Sequence, residues 1–183
     1  YIRVQTESAI RCAFSFWQEE ALYERLAREE FYLGIYSGLM LIMAFYNFFL
    51  FLTIRDIAYL YYFFYVISFA VFQMSLEGMV LKYLMPGLPA LAKVLVPVSA
   101  SASCGLAMIF AVQFLDLRRN APRIRQAALG VLALSGAIGV AGALHHSTGV
   151  RAIGALAFPA ALLVLLAGIL AYRRGYTPAK YFL

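Results

Sequence analysis

The sequence predicts an all-α polytopic membrane helix bundle, preceded by the last strands of an extracytoplasmic β domain. Three observations lead there. The 183 residues are 64% hydrophobic and only 13% charged, against roughly 45–50% apolar and about 25% charged in soluble domains. Five segments reach the ~20 apolar residues that a helix needs to cross a bilayer. The first eighteen residues follow a different, two-residue period. A soluble enzyme or a free nucleic-acid-binding domain is excluded by this composition, despite a net charge of +6.

Along residues 1–18, Ile2, Val4 and Thr6 alternate with Tyr1, Arg3 and Gln5, and Cys12, Phe14 and Phe16 share a face. Such alternation marks half-buried strands, and two strands do not stand alone in water. They read as the end of a larger β domain, in a chain that reads as a piece of a longer protein. Residues 19–31 form a charged connector helix, with Leu22 and Leu26 one turn apart. Residues 32–183 form the membrane domain. Its spans are expected at about 32–54, 57–76, 93–115, 127–144 and 152–172, with a sixth starting at Pro178. Proline suits a first helical position, where its missing N–H has no intrahelical partner to lose.

Loop charge sets the expected orientation. Arg55, Arg118, Arg119, Arg123, Arg125, Arg173, Arg174 and Lys180 fall on one side, and Lys82, Lys93 and Arg151 on the other. Eight cations against three place the Arg55 side in the cytoplasm and the N-terminus outside. The excess charge then serves topology and contact with anionic lipid. Arg55 and Asp56 make a tight cytoplasmic turn. Asp56 is placed to cap the second span by accepting the N–H of Ala58 or Tyr59.

Polar residues at membrane depth are costly and are candidate sites by default. Asn47 lies opposite the Gly34/Gly38 pair on span 1, an arrangement that suits close packing on one face and a hydrogen bond to a neighbour on the other. Gln73 and Glu77 stand one turn apart near the outer end of span 2. With Tyr62 and Phe69 on about the same stripe, they are candidates for an outward pocket. Gly136 and Gly139 belong to a small-residue packing surface on span 4. His145 and His146 are adjacent and point to different sides of a helix, so a shared metal is not expected. Cys12 and Cys104 are expected to be unpaired. No catalytic constellation, metal cluster or cofactor motif is present, so the segment itself is not expected to be an enzyme.

One stretch carries more than composition. It runs Gly34-Ile35-Tyr36-Ser37-Gly38, then Met43-Ala44-Phe45-Tyr46-Asn47 to Leu50-Phe51-Leu52, then Arg55-Asp56 and Tyr59-Leu60-Tyr61-Tyr62. It resembles the opening of the bacterial seven-transmembrane receptors with diverse intracellular signalling modules (7TMR-DISM). Gly78, Pro86, Phe114-Leu115 and Pro178-Ala179 with Tyr181-Phe182 are similar too, and the likeness covers about Phe31–Leu183. It implies seven helices and an outer jelly-roll sensing domain for a carbohydrate-like or other small ligand. It also implies a cytoplasmic output domain in cis, of kinase or diguanylate cyclase type, and by analogy with paired outputs a homodimer. The function expected is a transmembrane sensor that relays an outer ligand signal inward. The alternative is a small secondary transporter, which needs a polar midplane site on broken helices.

Overall fold

The computed structural model describes residues 18–84 and 87–174. The expected strands at 1–6 and 11–17 and the expected sixth span from Pro178 lie outside the described residues. Among the described residues every regular element is helical: α1 (Glu19–Ile54), α2 (Ile57–Leu76), a π-turn (Val80–Leu84), α3 (Pro89–Phe114), α4 (Leu117–Asn120), α5 (Pro122–Leu144) and α6 (His146–Arg173). Five of these, α1, α2, α3, α5 and α6, are long and apolar enough to cross a membrane.

Three helices start earlier than the apolar runs alone predict. α3 begins at Pro89, α5 at Pro122 and α6 at His146. Proline at the first helical position explains the first two. Its fixed φ favours the helix and its missing N–H is lost from a site with no intrahelical partner. The connector and span 1 are one element: α1 runs unbroken for 36 residues.

The tight turn after α1 forms by two local devices. Arg55 takes the left-handed conformation at φ 59°, and its N–H reaches back to Phe51 O at 2.7 Å. Asp56 then caps α2, its Oδ1 accepting the Ala58 N–H at 2.9 Å. At the far end of α2 the chain turns at Gly78, whose φ of 73° costs an ordinary side chain steric strain. The π-turn follows.

Polar side chains on the spans bond largely to their own helices. Thr53, Ser75 and Ser103 each donate to the carbonyl four residues back, at 2.7–2.9 Å. Ser135 donates to Leu132 O at 2.8 Å. This satisfies hydroxyls where no water competes.

α3 is the central helix. It packs on α2, α5 and α6, while among the described residues α1 packs on α2 and reaches the π-turn only by side chains. The contacts are made by small side chains, with Ala111, Ala128, Ala160, Ala167 and Ala171 all buried. Small residues let backbones approach, and close packing rather than a hydrophobic drive holds membrane helices together. The tightest crossing lies where α5 meets α6. A Cβ on Gly142 would fall 2.7 Å from Pro97 Cβ and 3.3 Å from Gly149 Cα. A Cβ on Gly149 would run into the Gly142 backbone. Pro97 is buried as the wedge from α3.

Two predictions follow from this packing. Gly149→Ala should destabilise the bundle by about 1–3 kcal/mol through overpacking, whereas Gly130→Ala, with open space around it, should be neutral or stabilising. Unfolding in a detergent titration compares them, and equal effects would contradict the crossing described. Asp56→Ala should cost about 1 kcal/mol by loss of the cap, with Asp56→Asn close to wild type, read by the same titration.

Candidate functional site

The first candidate site is built where α1 leaves the membrane. Its 36 residues span about 54 Å at 1.5 Å per residue, well beyond the ~30 Å hydrocarbon core. The excess is the charged stretch 19–30, which stands outside the apolar run. Glu30, at its base, receives Lys82 Nζ on one carboxylate oxygen. Its other oxygen accepts the Tyr83 hydroxyl at 3.3 Å. Lys82 and Tyr83 belong to the π-turn. The α1–α2 hairpin is therefore tied at both ends, by the Arg55-Asp56 turn and by this brace. Further out, Arg25 and Glu29 pair along the helix at 2.9 Å.

The hydrogen bond from Lys82, with its charge, holds the Glu30 carboxyl below the usual carboxylate range. The same hydrogen bond raises Lys82. Both groups are exposed, so the pair is screened by salt and acts as a positional tie more than as a source of stability.

The intramembrane candidates are not gathered into one pocket. Asn47 is buried, and its Nδ2 donates to Met43 O on its own helix at 2.8 Å. This bond is local and uses part of the hydrogen-bonding capacity of the amide. Gln73 Nε2 reaches Glu77 Oε1 at 3.5 Å, a long contact on an exposed edge. Tyr62 lies eleven residues before Gln73, about 16 Å along α2. It packs instead against Phe110 of α3, with ring centroids 5.1 Å apart and the ring planes tilted by 59°. Gly34, Gly38 and Gly136 have no neighbour within 4 Å of where a Cβ would stand. Gly139 alone of the four glycines singled out sits at a close crossing, 3.1 Å from Ser101 Cβ. Gly105, Gly142 and Gly149 share that role. They lie on three different helices, α3, α5 and α6, so no pattern along one helix marks them together.

A cavity of about 670 Å³ lies between α2, α3 and α6. Phe69, from the aromatic stripe of α2, lines it together with Tyr65 and Phe72. Gln73 and Glu77 do not line it. Small residues of α3 and α6, among them Ala100, Ala107, Gly154 and Ala157, form the other walls. Among the described residues α2 and α6 do not pack on each other, and the cavity lies between them against α3. The sequence reading missed it, because no single helix carries it.

The brace yields a pH prediction. Glu30 is depressed, so its contribution is present above the usual carboxylate range and is lost as pH falls through its lowered value. Lys82 is raised, so its contribution is present below the usual lysine range and is lost as pH rises through its raised value. Spin labels at Arg28 and Leu81 should give a narrow distance distribution between these limits and a broader one in acid. Glu30→Gln should already be broad at neutral pH.

Searches of curated proteins and of solved structures each returned no match to this chain. A family model, 7TM diverse intracellular signalling, matches residues 29–183. That match takes in all five candidate spans and all but the first 28 residues of the chain. The chain belongs to the 7TM diverse intracellular signalling (7TMR-DISM) family of multi-pass membrane proteins.

Proposed function

We propose that this chain is the membrane core of a bacterial inner-membrane sensor, which relays ligand state outside the cell to an output domain in the cytoplasm. The observation that carries the reading is the unbroken α1, braced through Glu30 to the π-turn. A continuous helix does not absorb a push or a rotation as a flexible linker does. Movement of an outer domain joined to Glu19 would therefore reach the α1–α2 hairpin. Ligand shifts the output only if it favours one packing of the helices over another. The brace and the one-sided packing of α1 provide an element that can move as a body.

The orientation rests on the loop charges, with the Arg55 turn and the arginine-rich α3–α5 connection in the cytoplasm. The outer ligand is a small molecule, carbohydrate-like by family resemblance. The output is a kinase or diguanylate cyclase in cis, and pairing of such outputs makes the working form a homodimer. Asn47, Gln73, Glu77 and Tyr62 remain the intramembrane residues proposed for ligand response or coupling, with Gly34 and Gly38 as a face for a neighbouring helix. No catalytic role is assigned to this segment. The unbroken span 1 favours the relay over a transporter, whose binding site is typically built on interrupted helices.

Insertions between Ala27 and Arg28 in the full-length protein test this. One added alanine turns everything upstream by about 100°, whereas seven turn it by about 700°, near two full turns. Basal output should shift several-fold with one residue and return towards wild type with seven. If neither insertion changes output, α1 is a passive tether and the relay reading fails.

A further inference from the structure

The connection between α3 and α5 is unusual in what it buries. Connections normally run over the surface. Here Leu115 and Leu117 are completely buried, the two largest side chains of which that is true among the described residues. They form one cluster with Ala121, at the start of α5, and with Ala167 and Ala171, in the last two turns of α6. α4 thus packs on α3, α5 and α6 at once. The cluster stands at a helix end beside the exposed Arg118 and Arg123, where water rather than lipid is the alternative. Its leucines therefore have a hydrophobic drive that the mid-membrane contacts lack.

What breaks the helix between α3 and α4 is not in the local sequence. Neither glycine nor proline occurs between Gly105 and Pro122, and Leu117, Arg118 and Arg119 are good helix formers. Yet Asp116 takes the left-handed conformation, at φ 42° and ψ 52°. Aspartate tolerates that region better than most residues, but less well than glycine. Carried on as a regular helix, α3 would run through Asn120. Leu117 would then fall within about 20° of Phe110, which meets Tyr62 of α2, and so would leave α6 for the α2 side. α5 would give up its first turn to let the chain return. That turn follows Ala121, whose side chain supplies no cap. The local preference for one helix and the burial of Leu117 thus oppose each other, and the burial holds the break.

We propose that residues 115–121 are a two-position strap hinged at Asp116. In the position described above, Leu117 latches the end of α6 to α3 and α5. In the other, α3 is continuous through Asn120 and the end of α6 is released. The strap is a conformational property of this end of the bundle, so its test reads distances and is independent of the relay reading.

The test uses the full chain in lipid nanodiscs, with Cys12 and Cys104 replaced by serine and nitroxide labels introduced in pairs at exposed positions. The pair at Arg118 and Arg173 reports the latch. The pair at Arg118 and Ile57 reports approach to the start of α2. Pulsed electron spin resonance of the otherwise wild-type chain should give mainly the short Arg118–Arg173 distance. Asp116→Ala disfavours the left-handed region and favours helix. It should raise the long Arg118–Arg173 population several-fold and shorten the Arg118–Ile57 distance. Asp116→Gly and Asp116→Asn accept a positive φ and should keep the latch closed. Leu117→Gln, which removes the buried apolar side chain, is the second opening variant, with helix content by circular dichroism as the fold control. If both opening variants leave the Arg118–Arg173 distance unchanged, the strap has one position. If they lengthen it without shortening the other distance, the segment has frayed rather than joined α3. If Asp116→Asn opens the latch as Asp116→Ala does, the charge and not the backbone holds the hinge. Each of these three results overturns the proposal.

Discussion

The hydrocarbon core offers no hydrogen bonds, and the rest of this structure is organised around that constraint. Each backbone N–H and C=O on a span must be met within the protein, so the membrane part is helical throughout its described length. The same demand explains the serine and threonine hydroxyls that turn back on their own carbonyls, and the Asn47 amide that closes on Met43 O. A side chain that has found a partner one turn away has less to gain from a neighbouring helix. Departures from regular helix fall where water can reach. The Arg55-Asp56 turn and the π-turn lie at helix ends, and each supplies charged groups that the interior could not hold.

Within that constraint, packing depends on what is small. Burying leucine against leucine gains little when the alternative is a lipid tail. The crossing of α5 and α6 at Gly142 and Gly149, wedged by Pro97, shows the favoured solution, which is near contact of backbones. α3 is central because it carries small residues on several faces: Ser101 and Gly105 towards α5, and Ala100, Ser103 and Ala107 towards the space between α2 and α6. The large aromatics of α2 cannot approach α6 in the same way. The cavity is the space left between that aromatic wall and the many small residues, among them Ala100, Gly154 and Ala157, of α3 and α6.

The spans and their order were legible in the sequence because crossing a bilayer leaves a long apolar run that no local accident imitates. The Asp56 cap was legible because it acts over two residues. What the sequence did not disclose depends on neighbours far along the chain. Lys82 registered only as a loop charge, since nothing local marks a partner 52 residues earlier. Gly34 and Gly38 carry a strong local pattern yet have no close neighbour, whereas Gly149, with no pattern of its own, sits at the tightest crossing. Tyr62, Gln73 and Glu77 share a helical stripe, but a stripe fixes angle and not height, and α2 spreads Tyr62 and Gln73 about 16 Å apart.

The brace and the cavity depend on the same short stretch of the chain, and this bears on how the two relate. The π-turn joins α2, which forms one wall of the cavity, to the chain that leads into α3, which forms another. Lys82 in that turn holds α1. A displacement of α1 large enough to move the π-turn would move the ends of α2 and α3 against each other and so change the width of the cavity.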